Sequence, residues 1–159
     1  MKLIVGVADM KISAQCDDVL VTHALGSCLG MVAYDPQAGV GGMLHVMLPQ
    51  SSINPEKAQT NPCMFVDTGL TAFFQGLYDA GAAKGRLKVK VAGGGSINCD
   101  GTDRFAIGKR NCVMFKKLLW QNGVLITAED TGGTCPRTMY LEIGTGRTWL
   151  STGGQQKEL

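Results

Sequence analysis

The stretch Cys28-Leu29-Gly30-Met31-Val32-Ala33-Tyr34-Asp35-Pro36-Gln37-Ala38-Gly39-Val40-Gly41-Gly42-Met43-Leu44-His45-Val46-Met47-Leu48 decides the fold. Two runs rich in apolar and β-branched residues, 28–34 and 40–48, flank Asp35-Pro36-Gln37-Ala38-Gly39, where Pro and Gly stand at turn offsets. The pair reads as a β-hairpin. Further short strands fit 2–7, 18–22, 87–92, 124–128, 138–143 and 148–151. Two segments carry the helical period instead. In 65–80, Phe65, Val66, Leu70, Phe73, Phe74 and Leu77 recur at helical spacing, and Gly81 supplies a C-terminal stop. In 109–122, Cys112, Val113, Phe115, Leu118 and Leu119 do the same before Asn122-Gly123. The polar, proline-bearing segment 49–62 reads as a surface loop. Many strands with two main helices imply an α/β (α+β) domain, with a mixed β-sheet or β-sandwich core and the helices packed outside it. Residues 1–152 form that single domain, and 153–159 reads as a polar C-terminal tail.

Composition narrows the class further. The chain has 159 residues, 45% hydrophobic and 18% charged, which is too apolar for disorder and long enough for one core. A net charge of +2 does not suit nucleic acid, which demands several basic contacts on one face. The stretch 19–34 is uncharged but holds Thr22, His23, Gly26, Ser27 and Gly30, short of an apolar membrane span. The N-terminal apolar run is cut by Gly6 and Asp9, too early for a secretory core, so a cytoplasmic location with reduced thiols is expected. Six cysteines without a C-x-x-C pair, and two histidines, exclude zinc-finger spacing. Glycine is the outlier: 22 of 159, about 14%, is roughly twice the ordinary usage of ~7%.

Chemistry concentrates around Cys28. It follows the turn Gly26-Ser27, and His45 comes 17 residues later on the returning strand, so both belong near the same end of adjacent strands. A cysteine nucleophile needs such an imidazole, which takes the thiol proton and later delivers it to the leaving group. Equally, a free cysteine is often a small core residue and a strand histidine a satisfied one. His23 competes for the role of base from across the Gly26-Ser27 turn, and a surface or packing role suits it as well. Thr22 could accept from the second ring nitrogen and so set the tautomer, or be an ordinary strand residue. The N–H groups of Gly26, Ser27 and Cys28 could converge as an oxyanion hole. Gly93-Gly94-Gly95-Ser96 lacks a phosphate-loop pattern and reads as a close-approach loop beside a substrate backbone. The carboxylates of Glu129 and Asp130 could pair with Arg137 at a rim. Cys112 reads as core; Cys16, Cys63, Cys99 and Cys135 have no basic partner in sequence.

The motifs Thr22-His23-Ala24-Leu25-Gly26-Ser27-Cys28, His45-Val46-Met47-Leu48-Pro49, Phe65-Val66-Asp67-Thr68, Ala92-Gly93-Gly94-Gly95-Ser96, Ile107-Gly108-Lys109-Arg110-Asn111 and Glu129-Asp130-Thr131-Gly132-Gly133 together resemble the chemoreceptor glutamine deamidase CheD family. The likeness runs from about residue 4 to about residue 150. It implies that Cys28 is the nucleophile, His45 the base and acid, and Thr22 the residue supporting the histidine. Gly26, Ser27, Gly94, Gly95 and Ser96 would then bind substrate or the oxyanion. It also implies kinship with cysteine deamidase toxins, and a hydrolase that needs neither metal nor organic cofactor. The substrate implied is a selected glutamine on the cytoplasmic helical hairpin of a methyl-accepting chemotaxis receptor, converted to glutamate through a cysteine thioester. The phosphatase CheC is an implied partner. Two other readings remain at this level: a non-catalytic adaptor that binds receptors or CheC, and a thiol-redox role resting on the cysteines alone.

Overall fold

The hairpin of 28–48 becomes the middle of a three-layer molecule. The computed structural model describes residues 1–96 and 105–159. Along the chain the strands are β1 (Lys2–Ile4), β2 (Asp9–Ser13), β3 (Val19–Leu25), β4 (Leu29–Asp35), β5 (Val40–Val46), β6 (Lys88–Gly93), β7 (Ile126–Thr131), β8 (Arg137–Glu142), β9 (Thr148–Thr152) and β10 (Gln155–Glu158). The α-helices are α1 (Pro55–Thr60), α2 (Val66–Asp79) and α3 (Ile107–Gln121). One sheet runs β1-β3-β8-β9-β10 and the other β2-β5-β4-β6-β7.

Every residue of β4 and β5 is buried because both faces of this pair are covered. Their side chains alternate between two cores, as the pleat requires. Leu29, Met31, Leu44 and Val46 face Leu70, Phe73, Leu77, Phe115 and Leu119 of the helices. Val32 and Met43 face Leu20, Leu25, Met139, Leu141 and Leu150 of the other sheet. Each such fully buried Leu, Met or Phe contributes about 1.5–3 kcal/mol of apolar transfer.

The turn between β4 and β5 is fixed by Asp35. Its carboxylate accepts the N–H groups of Gln37 (3.0 Å), Ala38 (3.1 Å) and Ala83 (2.9 Å), and the Arg86 guanidinium (Nη2 at 2.9 Å). The guanidinium beside it holds the Asp35 carboxyl well below the usual carboxylate range.

Helix α2 buries Val66, Leu70, Phe73 and Leu77, at i, i+4, i+7 and i+11. It ends as expected at Gly81, where the Gly81 N–H donates to Tyr78 O and the Ala82 N–H to Leu77 O. Helix α3 differs from the expected stripe. Its buried residues are Gly108, Asn111, Phe115 and Leu119, while Val113 stands outside. Three elements add to the sequence reading. Strand β2 is an edge beside β5, with Asp9 opposite His45. Segment 49–62 contains α1, capped by the Asn54 side chain on the Lys57 N–H. The terminal segment 153–159, expected as a tail, forms β10 against β9, exposed along its whole length.

Candidate functional site

Thr22 on β3 and His45 on β5 meet between the two sheets. Both are fully buried, with Thr22 Oγ1 2.7 Å from His45 Nδ1. The same hydroxyl donates to Val5 O at 2.8 Å. A carbonyl can only accept, so the single Thr22 proton lies toward Val5 and the hydroxyl accepts from Nδ1–H. His45 Nε2 therefore carries the lone pair. Among the described residues it has no hydrogen-bond partner, although it is buried. Desolvation lowers the His45 pKa to about 4, so the ring is neutral near pH 7.

Cys28 stands immediately before β4, whose Gly30 lies directly opposite His45. Two residues upstream of Gly30, Cys28 packs against the same inter-sheet core that His45 faces. It is half-buried, and burial raises its thiol pKa while its own backbone N–H works against that shift. The resting pair is thus a neutral thiol and a neutral imidazole.

The turn that presents Cys28 is tied down by its carbonyls. Gly26 O accepts from Gly95 N (2.8 Å), Ser27 O from Asn111 Nδ2 (3.0 Å), and Cys28 O from Gly94 N (2.8 Å). Ser96 N donates to Gly133 O at 2.8 Å, and Gly132 N to Gly93 O at 2.9 Å. The loop 93–96 therefore makes its close approach to the protein's own Cys28 turn, with the Gly94 and Gly95 amides already engaged. Gly93, at φ +105, could not carry a side chain: a Cβ there would lie 2.2 Å from Cys28 O. A Cβ on Gly108 would lie 2.1 Å from Gly95 O, so α3 also packs directly on this loop. Gly94, Gly95, Ser96, Lys109, Cys112 and Thr131 line a depression of about 400 Å³ beside the turn.

Arg137, almost fully buried, joins the two glycine loops. Its guanidinium donates to Gly132 O and to Gly93 O (3.4 Å) and pairs with Asp130 at 3.2 Å. Glu129 turns away and pairs with Lys116 at 2.9 Å. His23 is exposed, with Nδ1 3.4 Å from Thr138 Oγ1, on the opposite side of β3 from Thr22. Cys16 and Cys135 are exposed, Cys63 is buried in the helix-side core, and Cys99 lies outside the described residues. Among the described residues, no three His, Cys, Asp or Glu side chains gather as a metal site. No helix among them is long and apolar enough to cross a membrane.

Asn111 is the site residue that sequence reading missed. It lies inside a quoted motif, but at a position where helical periodicity asks for an apolar side chain. Only its polarity on a buried stripe could have signalled it.

The family described as CheD chemotactic sensory transduction matches residues 47–152. That match begins after Cys28 and His45, but similar proteins carry the likeness across them. A probable chemoreceptor glutamine deamidase CheD of Syntrophus aciditrophicus is 49% identical over 158 residues, covering 99% of this chain and 98% of its own. One of Solibacter usitatus is 48% identical over 158 residues, covering 99% and 93%. One of Thermococcus kodakarensis is 36% identical over 148 residues, covering 92% and 90%. With a family match over two thirds of its length and full-length relatives at these identities, the chain belongs to the CheD family.

Proposed function

We propose that this protein is a chemoreceptor glutamine deamidase that works through a Cys28 thioester, with His45 as base and acid and Thr22 orienting the ring. The observation that carries this reading is the buried His45 Nε2. Its lone pair is set by the Thr22 hydroxyl, it has no partner among the described residues, and it belongs to the face that Cys28 shares. The names of the relatives supply the substrate class, a glutamine side chain of a chemoreceptor.

The steps follow from these groups. As the Cys28 sulfur attacks the carboxamide carbon, its proton passes to Nε2 and the carbonyl oxygen becomes an oxyanion. In the resting site this transfer is uphill, because burial disfavours both thiolate and imidazolium. Proton movement must therefore accompany attack. The imidazolium then protonates the amide nitrogen, the C–N bond breaks and ammonia leaves, with a γ-glutamyl thioester remaining. Nε2 next takes a proton from water, whose oxygen attacks the thioester. The C–S bond breaks, the proton returns to sulfur, and glutamate is released.

Backbone planarity supports Ser27 and Cys28 as oxyanion donors. In a trans peptide the C=O and the following N–H point in opposite directions. Gly26 O points to Gly95 and Ser27 O to Asn111, both on the α3 side, so the N–H groups of Ser27 and Cys28 point away from that side together. The Gly94 and Gly95 amides, already donating to the turn, act through its shape; Ser96 flanks the depression beside it.

Cys28→Ala should abolish conversion of glutamine to glutamate in a receptor cytoplasmic fragment, read by mass spectrometry, while leaving the melting temperature near that of the parent. Retained deamidation would overturn the assignment. Binding of a receptor or of CheC as an adaptor would survive the same substitution.

A further inference from the structure

We infer that Asn111 is a positioning residue for this reaction, its carboxamide holding the nucleophile turn and the exit of the histidine strand in one geometry. The inference rests on the Cys28–His45 reading and deepens it.

Asn111 is fully buried on α3. Its Nδ2 donates to Ser27 O at 3.0 Å and to Met47 O at 3.0 Å. Two carbonyls on one end of the side chain fix its orientation, because Oδ1 in that place would face two acceptors. One amide group thus spans residue 27, next to Cys28, and residue 47, two beyond His45. Thiol and imidazole both lie at the open end of the hairpin, one before its first strand and one near the end of its second, and β4–β5 pairing ends at Leu29 and Val46. Beyond that point, Asn111 continues the tie between the two segments from a third element.

Two details separate placement from mere packing. First, Oδ1 is buried and has no partner among the described residues. A side chain kept only for stability would not leave an acceptor unsatisfied on a stripe otherwise made of Gly108, Phe115 and Leu119. Second, the bond to Ser27 O sets the plane of the Ser27–Cys28 peptide, and so the direction of the Cys28 N–H that faces the developing oxyanion. A double donor suits the position, which faces two carbonyl acceptors.

The test compares Asn111→Ala and Asn111→Asp with the parent and with Leu150→Ala, a core variant on the other sheet. Asn111→Ala should lower kcat at least tenfold with KM changed less than twofold, and should speed iodoacetamide labelling of Cys28 as the turn loosens. Asn111→Asp should lose at least as much at neutral pH, since a carboxylate donates nothing. Its activity relative to the parent should rise on acidification, as the protonated acid regains one donor. Asn111→Ala showing no such rise completes the signature. A kcat within twofold of the parent for Asn111→Ala overturns the inference, as does a loss no larger than Leu150→Ala gives at equal melting temperature. Should Asn111→Ala not fold, the pH response of Asn111→Asp decides alone, and a flat ratio overturns the inference. Deamidation surviving in Cys28→Ala would instead sink the catalytic reading. The labelling rate of Cys28 would still report whether Asn111 holds the turn.

Discussion

Thr22 has one hydroxyl proton and two neighbours, and their chemistry decides where it goes. Val5 O takes it, so the hydroxyl oxygen is left to receive Nδ1–H of His45 at 2.7 Å. Thr22→Val keeps the shape of the side chain and deletes both contacts. The ring then loses its tautomer preference and Nδ1 is left buried without a partner, a cost of about 1–3 kcal/mol. The expected result is a drop in kcat of about 10- to 100-fold, measured on a receptor fragment. Thr22→Ser should stay within a few fold, because it keeps the oxygen. The placing of Cys28 and His45 at one end of adjacent strands was legible as spacing, while the roles proposed for them and for Thr22 came from the motif resemblance. Asn111 was not, because a tie to two backbone carbonyls depends on where α3 lands, and spacing along the chain does not record that. His23, equal to His45 as a residue type, is set aside by strand parity alone: it is one residue from Thr22 and so points to the opposite side.

At the scale of elements, the glycine loops serve the protein's own backbone first. Loop 93–96 was read as approaching a substrate, whereas the structure shows Gly93–Gly95 pressed on Gly26 and Cys28 and backed by Gly108 of α3. A glycine run announces close approach, but it does not name the neighbour. Gly93→Ala and Gly26→Ala make a matched pair within this arrangement. At Gly93 the added Cβ meets Cys28 O at 2.2 Å in a left-handed backbone, so the turn must shift. Strain of about 1–3 kcal/mol and loss of most turnover are expected. At Gly26 nothing lies within 4 Å of the added Cβ, and stability should change by no more than about 0.5 kcal/mol. Thermal melts with turnover measured on the same samples would check both. The helix stops at Gly81 and Asn122-Gly123 were readable because a capping glycine is a local requirement. Strands β2 and β10 escaped because each pairs on one side only, so neither needs an apolar alternation; the Gln-Gln-Lys-Glu of β10 instead blunts a sheet edge.

Over the whole molecule, a central buried hairpin between a second sheet and two helices was readable as a class. The order of strands in each sheet was not, since β1 joins β3 in parallel across the intervening β2, and β8 reaches β3 from far along the chain. This architecture carries a pH signature. Folded His45 titrates at about 4, against an ordinary histidine near 6.5, so between those values the unfolded chain binds one proton more. Stability should therefore be level above about pH 6.5 as far as this group is concerned, and should fall by about 3 kcal/mol as the pH drops to about 4. The lowered carboxyls of Asp35 and Asp18 act mainly at lower pH, removing stability from about pH 5 downward through and below their ordinary value of 3.8. Urea unfolding of the parent and of His45→Gln across about pH 5–7 would show it: most of the slope should be lost in the variant, and an unchanged slope would contradict the assignment. The raised thiol of Cys28 has a consequence of another kind. Peroxide and electrophilic metabolites attack thiolates, and in the proposed mechanism a Cys28 kept as a neutral thiol would offer them little. On that reading, durability between encounters with substrate would come from the same burial that makes the proposed first proton transfer uphill.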